Sequence, residues 1–200
     1  MAAGGSDRKH TEVVKWMESL RVLHPGDLDQ VAAVYRDAVI SQAQGLYSPG
    51  QIAAWSNHAT TSNAIKDALE RGYGLASCGQ WSPHHHSAGE TTPAVIEAFG
   101  LLDPIDRLSL LYCRGRSCRQ GRSSAILRAL ELYARQQGCR QWRTEASQLS
   151  KPLLLRLGWC IDAEETVIFA GEPFQRWRMI KSLSPSPDGV GTNAVKISGG

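Results

Sequence analysis

Three strand-like stretches, residues 73–78, 94–102 and 107–113, follow one another with no helical period between them. This run limits the fold more than any other feature. A doubly wound parallel sheet needs a helix between successive strands, so strands that succeed each other directly call for a mixed sheet. Around the run lie further elements. Residues 21–23 read as a short strand stopped by His24-Pro25-Gly26. Asp27 then caps a helix, with Gln30 reaching back and Leu28, Val31, Tyr35 and Ala38 as its buried stripe. Ser48-Pro49 opens a second helix carrying Ile52, Ala53 and Trp55, and residues 61–71 read as a third. The strongest helical pattern is at 124–137, where Ile126, Leu127, Leu130, Tyr133 and Ala134 share a face and Gly138 provides the stop. Residues 141–146 form the next strand, 149–157 a short helix ended by Gly158, and 159–165, 167–169 and 177–180 the last strands.

Composition sets the class. Apolar residues are 42% of the 200 and charged residues 20%, ordinary for a globular chain able to bury a core. A net charge of +3 is too mild to argue for nucleic acid. The five cysteines are scattered, with no Cys-x-x-Cys pair, so neither a disulfide framework nor a structural zinc site is expected. No apolar run reaches membrane-spanning length, and residues 1–10 lack the apolar core of a signal peptide. The expectation is a soluble, cytoplasmic protein. Residues 1–19 read as a mobile extension with a short amphipathic helix from residue 12, residues 20–181 as one domain, and the Ser-, Pro- and Gly-rich 182–200 as a disordered tail. Residues 80–93 read as an insertion. Its three histidines, His84 to His86, are consecutive and do not converge on one ion, so a solvated loop is expected and no metal.

The chemistry concentrates between residues 108 and 127. An apolar strand ends in a turn containing Gly115 and Gly121, and the turn opens into the strongest helix. A helix N-terminus offers unpaired N–H groups and a partial positive charge. Gly121 lets a phosphate approach the backbone. Arg114, Arg116, Arg119 and Arg122 add charge and forked donors within nine residues. A ligand with several phosphates fits this better than a single carboxylate. A plain basic loop is the competing reading. A nucleic-acid surface fits poorly, because no aromatic residue lies between Tyr112 and Tyr133 to stack on bases.

From about residue 20 to 181 the chain resembles the GNAT superfamily of acyl-CoA-dependent N-acetyltransferases. The strand L-Y-V-x-P of that family has its counterpart in Leu111-Tyr112-Cys113. Q-x-x-G-x-G has its counterpart in Cys118-Arg119-Gln120-Gly121-Arg122-Ser123, and S-x-L-L in Ser124-Ala125-Ile126-Leu127. Upstream, residues 46–55 around Ser48-Pro49-Gly50-Gln51 and Trp55 resemble the substrate-side helix of one bacterial-type branch. Downstream, Thr144-Glu145-Ala146-Ser147 and the stretch from Pro152 to Gly158-Trp159 resemble that branch's strand and helix end.

The resemblance implies an α/β (α+β) fold: a mixed, mostly antiparallel sheet of about seven strands flanked by helices and splayed between strands 4 and 5. It implies acetyl-CoA as co-substrate, with its pyrophosphate on the backbone of residues 118–124 and its pantetheine arm along Leu111, Tyr112 and Cys113. A strand N–H near Tyr112 or Cys113 would hold the oxyanion. The acceptor implied is a small-molecule or peptide amine, attacking directly, with no nucleic acid or membrane partner and a monomer or homodimer as the assembly. Glu145 is the candidate base, Glu97 the alternative, and Trp55 a wall of the acceptor pocket. The chain departs from the family at Cys118, Ser123 and Ser109. A further departure is Leu154, which stands where many members carry a tyrosine that protonates the leaving thiolate. A GNAT-like module that binds acyl-CoA without catalysis is the second reading.

Overall fold

The computed structural model describes residues 20–80 and 94–183. The expectations for residues 1–19, for the His84–His86 insertion and for residues 184–200 lie outside these. Seven strands form two sheets among the described residues. In the first, β1 (Leu20–Val22), β2 (Tyr73–Gln80), β3 (Ala94–Leu102) and β4 (Leu108–Cys113) pair antiparallel in that order. In the second, β5 (Gln141–Ala146), β6 (Cys160–Phe169) and β7 (Glu172–Ser182) pair antiparallel in the order β5-β7-β6.

The two sheets meet where β4 and β5 run side by side in the same direction. An isolated parallel bridge joins Arg107 to Arg143. Beside it Arg143 N donates to Asp106 O at 2.9 Å, and Thr144 Oγ1 donates to Leu108 O at 2.7 Å. From there toward Cys113 no strand pairing connects the two sheets. The expected mixed sheet with a splay between strands 4 and 5 is what the chain forms, and the splay opens beyond that bridge, toward Cys113.

Among the described residues five α-helices cover the sheets: α1 (Leu28–Gln42), α2 (Pro49–Thr61), α3 (Ala64–Arg71), α4 (Arg122–Gln136) and α5 (Lys151–Arg156). They sort into two cores. One gathers Val31, Tyr35, Val39, Ile52, Trp55 and Ile65 of α1–α3 with Ala76, Phe99 and Leu101. The other gathers Ile126, Leu127 and Leu130 of α4 and Leu154 of α5 with Leu75, Ala98, Leu102, Trp142 and Met179. Neighbouring strand residues such as Leu75 and Ala76, or Leu101 and Leu102, fall in different cores. The period of two along a strand therefore places the cores on opposite faces of the sheet. With helices on both sides, β3 is buried along its last seven residues.

Local sequence explains most boundaries. Ser48 caps α2 by accepting from Gln51 N at 3.1 Å, and Gln51 Oε1 accepts from Ser48 N at 2.9 Å, with Pro49 at the first helical position. Several expectations need correction. Asp27 does not cap α1 through its side chain, because that carboxylate accepts from Arg21 and from His24 N, while Gln30 reaches across to Ile96 N. The stretches 159–165 and 167–169 are one strand, β6, which turns into β7 through Ala170 and Gly171, both at positive φ. Such a two-residue turn matches the strand twist and allows a long hairpin. The expected tail also starts too early. Ser182 ends β7, and Leu183 is buried, its N–H donating to Arg140 O at 2.7 Å.

Gly100 lets α4 lie close on β3. A Cβ there would stand 2.6 Å from Ile126 Cγ2 and 3.0 Å from Leu130 Cδ1, both in a filled core. Gly100→Val is therefore expected to destabilise the fold by about 1–3 kcal/mol or more, read as a lowered urea midpoint. An unchanged midpoint would contradict this packing.

Candidate functional site

The turn between β4 and α4 is built by three local devices. Residues Gly115–Ser117 form a short 3-10 turn against α1, where Gly115 N donates to Asp37 Oδ1 at 2.8 Å. A side chain at Gly115 would strike Ser41 Oγ at 2.5 Å, so only glycine fits. Arg119 at φ 61° and Gly121 at φ 86° then take left-handed backbone, and Gly121 is the residue that starts α4. The first intrahelical hydrogen bond runs from Ala125 N to Gly121 O at 2.9 Å. Ser123 and Ser124 precede it, so their N–H groups have no helical acceptor.

The turn is held from below by Glu97. This buried carboxylate accepts from Arg116 at 2.5 and 3.1 Å and from Ser117 Oγ at 2.6 Å. Burial by itself would raise its pKa. The hydrogen bonds from Arg116 and Ser117 and the charges of Arg116 and Arg114 outweigh burial and hold the carboxyl below its ordinary value. A carboxylate so occupied is a poor base, and Glu97 does not line the adjoining cleft.

The expectation that four arginines face one ligand is also corrected. Arg114 donates to Ile96 O at 3.1 Å and lies 3.8 Å from Asp37. Arg116 is taken by Glu97. Arg122 is buried, its guanidinium donating to Ser77 Oγ at 2.8 Å and Cys78 O at 3.1 Å on β2, and burial lowers its pKa. Among the described residues, Arg119 is the one of the four without an ion pair or side-chain hydrogen bond.

A cleft of about 920 Å³ runs from this turn through the gap between β4 and β5. Of the residues singled out in the sequence, Leu111, Tyr112, Cys113, Cys118, Arg119, Gly121, Arg122, Ser123, Ser124, Trp55 and Glu145 line it, as does Leu154. Gln120 does not. The cleft also contains Gln42, Arg128 and Arg156, which the sequence reading missed. Arg128 stands four residues after Ser124 on the same helical face, a spacing that could have flagged it. Gln42 is 71 residues from Cys113, whose carbonyl it meets at 2.7 Å, and no local pattern announces such a contact.

The backbone of β4 is the most informative wall. Arg114 N donates to Glu97 O at 2.8 Å, so that pair is hydrogen-bonded, and antiparallel alternation makes Tyr112 with Phe99 the next such pair. Leu111 and Cys113 fall between, and their N–H groups point to the open edge. The N–H of Tyr112 is thus spent within the sheet.

On the α1–α3 side the wall is aromatic. Tyr112 lies 4.3 Å from Tyr35 and 5.7 Å from Phe99, ring centre to ring centre, and Trp55 Nε1 donates to its hydroxyl at 3.3 Å. Burial pushes the Tyr112 hydroxyl up to about 12, against the hydrogen bonds from Trp55 and Tyr35. It stays protonated at neutral pH. Glu145 accepts from Arg107 twice, at 2.7 and 3.0 Å, both on Oε2. Among the described residues no donor is paired with Oε1. On the opposite side Leu154 is fully buried in the α4–α5 core, and no histidine among the described residues lines the cleft. Among the described residues no three His, Cys, Asp or Glu side chains converge as metal ligands, and no helix is long and apolar enough to cross a membrane.

Sheets that part beside a glycine turn at a helix N-terminus define the fold of the GCN5-related N-acetyltransferases, and this chain has that fold. A GCN5-related N-acetyltransferase of Rhodopseudomonas palustris superimposes with a TM-score of 0.70 at 22% identity, over 82% of this chain and 94% of that one. The PaiA N-acetyltransferase of Thermoplasma acidophilum, solved in complex with coenzyme A, gives 0.60 at 15%, over 82% and 99%. A Salmonella typhimurium structure containing acetyl-CoA as its cofactor gives 0.51 at 15%, over 86% and 98%. No family model matches the chain, and no curated protein matches it in sequence.

Because the Glu97 carboxyl is held below its ordinary value, its contribution to stability is full above the unfolded glutamate range, about pH 4.3. That contribution fades as pH falls through the lower folded value. Glu97→Gln should therefore lower the urea midpoint by a constant amount between pH 6 and 8, by roughly the same shift throughout. Below about pH 4 the two proteins should converge. A difference that does not change with pH would contradict the charged role of Glu97.

Proposed function

We propose that the protein is an N-acetyltransferase that moves an acetyl group from acetyl-CoA to the amine of a small-molecule or peptide acceptor. The observation that carries this reading is the gap between β4 and β5. It joins the glycine turn at the start of α4 to an aromatic pocket on the α1–α3 side, so two substrates can enter from opposite faces and meet at one strand edge.

In this reading the N–H groups of Ser123 and Ser124, at the positive end of α4, receive the pyrophosphate, and Arg119 adds charge at the rim. The open edge of β4 pairs with the pantetheine arm like an added strand. The Cys113 or Leu111 N–H holds the carbonyl oxygen as it gains negative charge, a preorganised dipole that needs no rearrangement. Glu145 Oε1 takes a proton from the acceptor's ammonium, which frees the neutral amine to attack, while Arg107 fixes the carboxylate through Oε2. The new bond joins the amine nitrogen to the acetyl carbon, and the carbon–sulfur bond breaks. With Leu154 in the apolar core, the thiolate leaves without a neighbouring acid. A thiol with a pKa near 8.5 is a good enough leaving group for that.

The test is release of free thiol from acetyl-CoA across a panel of amines, with wild type and Glu145→Gln. The variant keeps size and polarity but loses the basic oxygen. Turnover should fall by about 10²- to 10⁴-fold, with little change in acetyl-CoA affinity. Wild-type turnover in the variant would remove Glu145 from the reaction. Acetyl-CoA binding with no thiol release for any amine would favour the non-catalytic binding module instead.

A further inference from the structure

Beside the cleft lies a second cavity of about 550 Å³, between α4 and the segment that follows α5. Trp142 and Trp159 contribute to its lining, and their rings stack with centres 5.7 Å apart. The Trp142 indole N–H is buried and has no acceptor among the described residues. Arg128 and Arg156 are the two residues that line both cavities, so they stand where one opens into the other.

The placement of these arginines follows from the chain. Arg128 is one helical turn, about 6 Å, beyond Ser124 on the same face of α4. Arg156 ends α5 on the facing wall. Both are exposed, and among the described residues neither has an ion pair. The carboxylate nearest in sequence on α4, Glu131, is already engaged by Arg135 at 2.7 Å and Lys181 at 2.5 Å. Two guanidinium groups at the neck of one passage repel each other, and among the described residues no ion pair offsets that charge. A dianion between them would.

Resting on the reading that the cleft takes a CoA thioester, we infer that Arg128 and Arg156 form a phosphomonoester subsite for the 3′-phosphate of CoA, with the adenosine in the second cavity. The chemistry selects that group. A phosphomonoester has a second pKa near 6 and carries about −1.5 to −2 charges at pH 7, as phosphorylated side chains do. Each pyrophosphate unit carries about one, and is already served by backbone N–H groups at the turn. Arginine forks bind such an oxyanion bidentately. The protein therefore selects free acyl-CoA over thioesters that lack the 3′-phosphate, including those carried on phosphopantetheine alone.

Calorimetric titration of CoA and of dephospho-CoA, which lacks only the 3′-phosphate, into wild type and the double variant R128A/R156A tests this. Wild type should bind CoA about ten- to a hundredfold more tightly, the range for charge-assisted hydrogen bonds. In the double variant the ratio should fall to about one, while dephospho-CoA affinity stays within roughly threefold of wild type, which also shows that the variant is folded. Equal wild-type affinities for the two ligands, or an undiminished ratio in the double variant, would overturn the subsite. Binding of neither ligand by wild type would overturn the thioester reading itself and the subsite with it.

Discussion

The structure depends on a strand edge that, among the described residues, has no strand to pair with. Along β4 the N–H groups of Leu111 and Cys113 point away from β3, and β5, which starts beside Arg107, turns off after the contacts of Arg107, Leu108 and Thr144. Backbone polar groups inside a protein need partners, so an edge left open beside a cleft asks for water or a ligand. Gln42 answers part of the demand by donating to Cys113 O, which narrows what a ligand has left to pair with. Because the two helical layers belong to separate cores, a gap in the sheet becomes a passage from one face to the other.

Charge in this site serves architecture first. The run from Arg114 to Arg122 reads as a binding patch, yet Arg116 is committed to buried Glu97 and Arg122 to the edge of β2. Those bonds hold the left-handed backbone at Arg119 and Gly121 in the shape that exposes the helix N-terminus. In the proposed reading the neutral backbone does the recognition, and Arg116 and Arg122 fix it in place. Two cleft arginines without ion pairs among the described residues, Arg128 and Arg156, lie further along, on α4 and α5.

Much of this was legible in the sequence, and the reasons differ from element to element. The strand–turn–helix at residues 108–137 is encoded locally, by apolar periodicity, two glycines and a strong amphipathic stripe, and it folds as read. Ser48-Pro49-Gly50-Gln51 is likewise a complete local signal. The side-chain directions of Arg116 and Arg122 were not legible, because their partners, Glu97 and Ser77, lie on other strands. The same holds for Glu97: a lone carboxylate in an apolar strand reads equally as a base or as a buried anchor, and only the contacts with Arg116 and Ser117 decide it. Asp27 carried a capping signal that Arg21 outcompetes from across a turn. Residues 159–165 and 167–169 read as two strands, whereas the tight turn at Ala170-Gly171 makes Cys160–Phe169 one arm of a long hairpin.

Amide hydrogen exchange along β4, without and with saturating acetyl-CoA, tests the central claim most directly. An N–H paired within the sheet is protected in both states, whereas an open-edge N–H becomes protected when a ligand pairs with it. The account predicts that Leu111 and Cys113 gain protection on binding, together with Ser123 and Ser124, while Tyr112 is protected throughout. Bound acetyl-CoA with no gain at Leu111 and Cys113 would place the thioester arm elsewhere and contradict the account.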